Sequence, residues 1–157
     1  VQARILGINF LLSVLTLVWV ADIFAYFAGR AFGLRFTRNK LAPSISPGKS
    51  WEGVWGGLAG VLCLAVAWVV ADRYFQADIA SFYTRLYSAG WWFLAIAVVF
   101  MVAMSVAGDL VESLIKRSAG VKDSSGLLPG HGGVLDRVDA LLPTLPLALM
   151  LTRLISV

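Results

Sequence analysis

Asp109, Glu112, Ser113, Lys116 and Arg117 stand at i, i+3, i+4, i+7 and i+8. On a helix that spacing puts two carboxylates, a hydroxyl and two cations on one face. Asp136 and Asp139 repeat the i, i+3 pair further along. Both pairs border strongly apolar segments, and a carboxylate at membrane depth costs about 2.5–3.5 kcal/mol on insertion scales, so each needs a partner. A divalent metal would supply one, and Mg²⁺ takes one or two protein carboxylates together with waters and substrate phosphate oxygens. Between the pairs runs Gly126-Leu127-Leu128-Pro129-Gly130-His131-Gly132-Gly133, four glycines in eight residues. Such a backbone can turn its amides toward an anion, although a plain joining loop has the same composition. Its flanks, Lys122-Asp123 on one side and Asp136-Arg137-Val138-Asp139 on the other, favour the anion reading. His131 is the sole histidine, which excludes a histidine metal cluster and leaves it either touching substrate or fixing the loop.

A second constellation lies upstream, in Ser46-Pro47-Gly48-Lys49-Ser50-Trp51-Glu52-Gly53. Gly48-Lys49-Ser50 looks like the tail of a Walker A loop, but Pro43 stands where that pattern needs its first glycine, so this is not a P-loop. Lys49 and Ser50 can still meet a phosphate where the amides of the following helix point outward. Asp22, Tyr26 and Arg30 share one face of the first apolar segment and approach the same loop. Asp22 is a candidate substrate-binding group by virtue of its depth, or the partner of Arg30 or Lys49 in a structural ion pair.

The elements that must position these groups are membrane helices. Of 157 residues 59% are hydrophobic and 14% charged, and mean hydropathy is +0.83, too little polar surface for a soluble domain of this size. A crossing needs about 20 mostly apolar residues. Residues 53–71 and 89–108 satisfy this without a charge, and 5–27 does so with Asp22 near its end. A weaker fourth span, 140–157, carries Pro143, Pro146 and Arg153 and is expected to be a kinked helix. The expected fold is an all-α, polytopic transmembrane bundle of about four spans in a single membrane domain, 1–157, with two charged loops on one side. In the span opening at Gly53, Gly56, Gly57 and Gly60 give small-xxx-small pairs suited to close helix packing.

Of 13 basic residues, nine (Arg30, Arg35, Arg38, Lys40, Lys49, Lys116, Arg117, Lys122 and Arg137) fall in those two loops. The positive-inside rule makes that side cytoplasmic and sends both termini outward. The net charge of +4 therefore reports topology, with no nucleic-acid partner implied. The lone Cys63 lies in an apolar run and forms no disulfide framework. The chain begins at Val1 rather than Met, as a fragment or processed product would.

Ser113-x-x-Lys116-Arg117, then Lys122-Asp123, then His131-Gly132-Gly133-x-x-Asp136-Arg137-x-Asp139 resembles the signature of phosphatidate cytidylyltransferases, or CDP-diacylglycerol synthases. Ala21-Asp22, Ala25-Tyr26, Gly29-Arg30 and the Ser46–Gly53 segment match upstream, with Gly48 where the family usually has a second basic residue. The resemblance spans essentially the whole chain. Family members usually carry further membrane helices ahead of this region, which implies an N-terminal truncation.

The resemblance implies transfer of a cytidylyl group from CTP to phosphatidate, giving CDP-diacylglycerol and pyrophosphate at a bilayer, the bacterial cytoplasmic (inner) membrane, with the site facing the cytoplasm. It implies Mg²⁺ on Asp109, Asp136 and Asp139, with Glu112 a further ligand, and leaves open a second, monovalent cation and a homodimer. Lys116, Arg117, Lys122 and Arg137 would hold phosphates, with Asp123 among the catalytic residues. Asp22, Lys49, Ser50, Ser113, His131, Gly132 and Gly133 would meet substrate. Two other classes stay open: a CTP-dependent polyprenol or phytol kinase, and a non-catalytic anion-binding membrane protein such as a transporter. Clustering of the charges at helix ends, rather than at the midplane, weighs against transport.

Overall fold

The computed structural model describes residues 7–33, 35–37, 40–121, 124–125 and 138–155. In chain order these form helix α1 (Ile8–Phe32), strands β1 (Lys40–Ala42) and β2 (Ser46–Ser50), then helices α2 (Trp51–Tyr74), α3 (Phe82–Ser88), α4 (Trp91–Ser118) and α5 (Leu141–Ile155). The all-α membrane architecture expected from composition is present. A two-stranded hairpin interrupts it within the first charged loop.

Three helices, α1, α2 and α4, are long and apolar enough to cross a membrane. Only 33%, 28% and 33% of their most apolar windows are buried inside the protein. What remains is an apolar outer surface, carrying Trp19, Trp55, Val66 and Ile96 outward, of the kind a bilayer covers. The chain is an integral membrane protein. All three long helices overrun the expected spans, because their last turns continue into polar sequence. Helix α5 has 15 residues, short of the roughly 20 expected of a fourth span. It keeps Pro146 inside its length.

Helix association in a bilayer gains little from apolar burial and relies on close van der Waals packing. The α1–α2 pair has the most extensive contact in the fold, and the α2 glycines make it. A Cβ at Gly56 would lie 2.2 Å from the Ala28 Cβ, and one at Gly57 would lie 2.8 Å from the Ala21 carbonyl oxygen. At the α4–α5 crossing Gly108 does the same, with Pro143 Cγ 2.7 Å and the Asp139 carbonyl oxygen 3.0 Å from a hypothetical Cβ. This contact brings the start of α5 against the charged end of α4.

Opposite the charged end, α3 closes the bundle by burying Phe82, Tyr83 and Leu86 completely. Its first turn is tied down by Asp72, whose carboxylate accepts from Asn9 Nδ2 (3.0 Å), the Ser81 N–H (3.0 Å) and the Thr84 hydroxyl (2.6 Å). Ser13 also accepts the Phe82 N–H at 2.9 Å. These bonds staple α1, α2 and α3 together and hold the far end of the bundle fixed.

Close packing at Gly56 has a direct consequence. Gly56→Val should destabilise the protein by about 1–3 kcal/mol through overpacking, read as a lower melting temperature in detergent. Gly48→Ala, where nothing lies within 4 Å of the new Cβ, should leave the melting temperature unchanged. Equal melting temperatures for the two variants would refute the close approach.

Candidate active site

Helix length sets the depth of the charged groups. Asp109 follows Trp91, the first residue of α4, by eighteen residues, about 27 Å at 1.5 Å per residue. That is close to the thickness of a hydrocarbon core, so Asp109 reaches the opposite boundary, and Glu112, Ser113, Lys116 and Arg117 project past it. Asp22 stands about 21 Å along α1 from Ile8 and stays inside the slab. Helix α4 continues unbroken to Ser118, so the expected face of carboxylates and cations forms.

Two elements converge on that face. Asp139, placed by the Gly108–Pro143 contact, joins Asp109 and Glu112 so that one carboxylate oxygen of each lies within 4.8 Å of the others. Ligands of one small divalent ion, bound at about 2.0–2.6 Å, must lie within about 5 Å of one another, so the three oxygens fit a hard cation with little adjustment. Burial raises the Asp139 carboxyl above its usual range and the neighbouring Asp109 charge adds to this, against the Ala140 N–H, Lys49 and Lys116. A bound cation would relieve both. Glu112 is buried and pairs with Lys116 at 2.6 Å, and Ser113 donates to Asp109 at 3.3 Å, orienting that carboxylate.

The hairpin supplies the cation on the other side. Lys40 registers with Ser50 and Ala42 with Ser46, with an irregularity between. Lys49, next to the last residue of β2, forms an ion pair with Asp109. Ser50 caps α2 by accepting the Gly53 N–H at 3.2 Å, which leaves its hydroxyl hydrogen as a donor. Behind this pair lies a cavity of about 400 Å³. Asp22, Tyr26 and Arg30 of α1, Lys49 and Ser50 of β2, and Asp109 of α4 give its lining polar and charged groups, and Ala21, Ala25, Val54, Val102 and Val106 give it apolar ones. It is a pocket in which charged groups of both signs share the lining with apolar side chains, Asp22 the deepest of the charged groups on α1.

The structure thus brings together Asp22, Lys49, Ser50, Asp109, Glu112, Ser113, Lys116 and Asp139. Of the two ion pairs entertained for Asp22, neither forms among the described residues: Lys49 pairs with Asp109, and Arg30 donates to the Tyr26 hydroxyl at 3.0 Å. Arg117 is exposed on α4, outside the cavity lining. Lys122, Asp123, His131, Gly132, Gly133, Asp136 and Arg137 lie outside the described residues, as does Arg38. Two roles went unread in the sequence. Arg30 and Tyr26 were seen to share the face of Asp22, but not to close one wall of a cavity. Glu52, which appeared only within a matching segment, is a nearly buried hydrogen-bond acceptor. A lone carboxylate opening an apolar helix was the available signal, since burial obliges it to find donors.

Fold and site together define a polytopic, all-α membrane protein with an acidic cluster beside a cavity lined by charges of both signs at one end of its bundle. Residues 1–155 match the model of the cytidylyltransferase family, and the chain belongs to that family. It is 50% identical over 147 residues to a phosphatidate cytidylyltransferase of Haemophilus influenzae, covering 89% of this chain and 44% of that protein. For the phosphatidate cytidylyltransferase of Pseudomonas aeruginosa the figures are 48% over 136 residues, 87% and 44%. For that of Thermotoga maritima they are 40% over 146 residues, 92% and 49%. The chain spans about half the length of these curated relatives.

If the three carboxylates form a cation site, Asp139→Asn should weaken Mn²⁺ binding, followed by electron paramagnetic resonance, by about tenfold or more. Because the Asp139 carboxyl holds its proton above the usual range, wild-type affinity should fall as pH is lowered toward that range, and the Asn variant should show a flatter profile. Unchanged affinity in the variant would remove Asp139 from the site.

Proposed function

We propose that the chain forms the catalytic part of a phosphatidate cytidylyltransferase, which transfers the cytidylyl group of CTP to phosphatidate and releases pyrophosphate. The observation that carries the reading is the meeting of Asp109, Glu112 and Asp139 with Lys49 beside a cavity whose lining is part charged and part apolar. The names of the relatives point to the same reaction. Among the described residues, Arg30, Arg35, Lys40, Lys49, Lys116 and Arg117 lie at the site's end of the bundle, with Arg73, Arg85 and Arg153 at the other. This distribution supports a site facing the cytoplasm from the bacterial inner membrane.

In this reaction a phosphate oxygen of phosphatidate attacks the α-phosphorus of CTP. A new P–O–P bond forms, the bond from the α-phosphorus to the bridging oxygen breaks, and pyrophosphate leaves with the electron pair. The nucleophile is already an anion, so no general base is required. The chain's task is to align two repelling anions and to neutralise charge on the leaving group. Lys49 and Arg30 are placed to hold phosphate oxygens in the cavity, Arg30 by bidentate contact. The apolar side chains of the lining, Val54, Val102 and Val106 among them, suit the glycerol end of a lipid whose acyl chains stay in the bilayer. Asp109, Glu112 and Asp139 would hold Mg²⁺, with Asp136 completing the set. When bound, the ion screens the triphosphate and stabilises charge on the departing oxygen.

With membranes containing the protein, phosphatidate and CTP labelled at either the α- or the γ-phosphate, label from the α-position should enter lipid. Asp109→Asn should reduce this by at least about 100-fold, in the range seen when one group stabilising transition-state charge is removed. Lipid labelled only from the γ-phosphate would indicate a kinase, and no labelling with either would overturn the proposal.

A further inference from the structure

The loop joining α1 to α2 carries Lys49, yet the hairpin at its centre has only two strands. Isolated hairpins are marginal in water, so its position must be imposed at its ends. The outgoing end is fixed because β2 runs directly into α2, with Ser50 as the cap. The incoming end is fixed by Glu52. Its Oε1 accepts three hydrogen bonds, from the Thr37 N–H at 2.7 Å, the Thr37 hydroxyl at 2.6 Å and the Phe36 N–H at 3.2 Å. Glu52 is only 7% exposed and is absent from the cavity lining. It touches the incoming side of the loop from the first turn of α2, three residues beyond Lys49. The carboxylate also sits where the N-terminal amides of α2 favour an anion.

We infer that Glu52 is a positioning residue, a clasp that closes the Arg35–Ser50 loop and thereby holds Lys49 against Asp109 beside the cavity. The inference rests on the cytidylyltransferase reading for its kinetic consequence but not for its structural one. A carboxylate is suited to the task because it can take three donors on one oxygen without needing a proton of its own. Gln keeps an acceptor oxygen at the same reach and forms weaker, uncharged bonds. Ala removes the one acceptor shared by the Phe36 and Thr37 amides and the Thr37 hydroxyl, and so releases the incoming end of the loop. Thr37→Val removes one of the three bonds and keeps both amides engaged.

Two readouts on the protein in nanodiscs test this. In limited trypsin digestion, the Arg35–Phe36 bond should resist cleavage in the wild type, because the Phe36 amide is held. It should be cut at least about tenfold faster in Glu52→Ala, with Glu52→Gln and Thr37→Val between the two. In cytidylyl transfer, Glu52→Ala should lose about 100-fold in kcat/KM for CTP, as small misplacements of a reacting group do, and Glu52→Gln should recover most of it. The melting temperature of the helical bundle should stay near that of the wild type. An Ala variant as resistant to trypsin as the wild type overturns the clasp. So does one whose loss of activity merely tracks a fall in melting temperature that Gln fails to reverse. A wild-type protein without cytidylyl transfer would defeat the functional reading alone, because the proteolysis would still decide the clasp.

Discussion

A carboxylate carried to the edge of a hydrocarbon layer has to be met by positive charge, and the arrangement at Asp109 follows from that requirement. Its helix is apolar for eighteen residues before it, so no water-rich surface is at hand over most of that length. Lys49 meets it from the hairpin, Ser113 orients it, and Glu112 and Asp139 bring further negative charge within 4.8 Å. One lysine does not neutralise three carboxylates. Lys116 takes up part of the excess at Glu112, and what is left is an acidic cluster suited to a divalent cation. The site is therefore built around competition: the lysine and a cation seek the same oxygens. In the proposed reaction a cation taking those oxygens would free Lys49 for phosphate.

The rest of the fold holds the two sides of this pair at fixed separation. Glycines on α2 let it lie directly on α1, so the hairpin emerging between them has little freedom at its base. Gly108 lets α5 start beside the carboxylates of α4. At the far end the Asp72 hydrogen bonds and the buried face of α3 keep the helices from sliding. Small residues thus set distance, and polar staples set register.

Much of this could be read from the residues. Uncharged runs announced the long helices, and i, i+3, i+4, i+7 spacing put Asp109, Glu112, Ser113 and Lys116 on one face once α4 was taken as continuous. The small-xxx-small pattern announced the packing face of α2. Tertiary partnerships were not legible. Nothing local to Lys49 says that it reaches Asp109 rather than Asp22, because that choice depends on how deep each helix seats its carboxylate. The hairpin was unread because Pro43 and Pro47 look like loop residues, and proline is tolerated in strands that have a free edge. Glu52 was unread as a clasp because its partners, two of them backbone amides, have no side-chain signature.

The competition at Asp109 is tested most directly by measuring divalent cation and CTP binding separately in Lys49→Met. With its competitor removed, Asp109 should bind Mn²⁺ several-fold more tightly in the absence of nucleotide, while affinity for CTP should fall by about tenfold or more. Unchanged affinity for both would contradict a lysine that guards the carboxylate in the free protein and serves the phosphate in the complex.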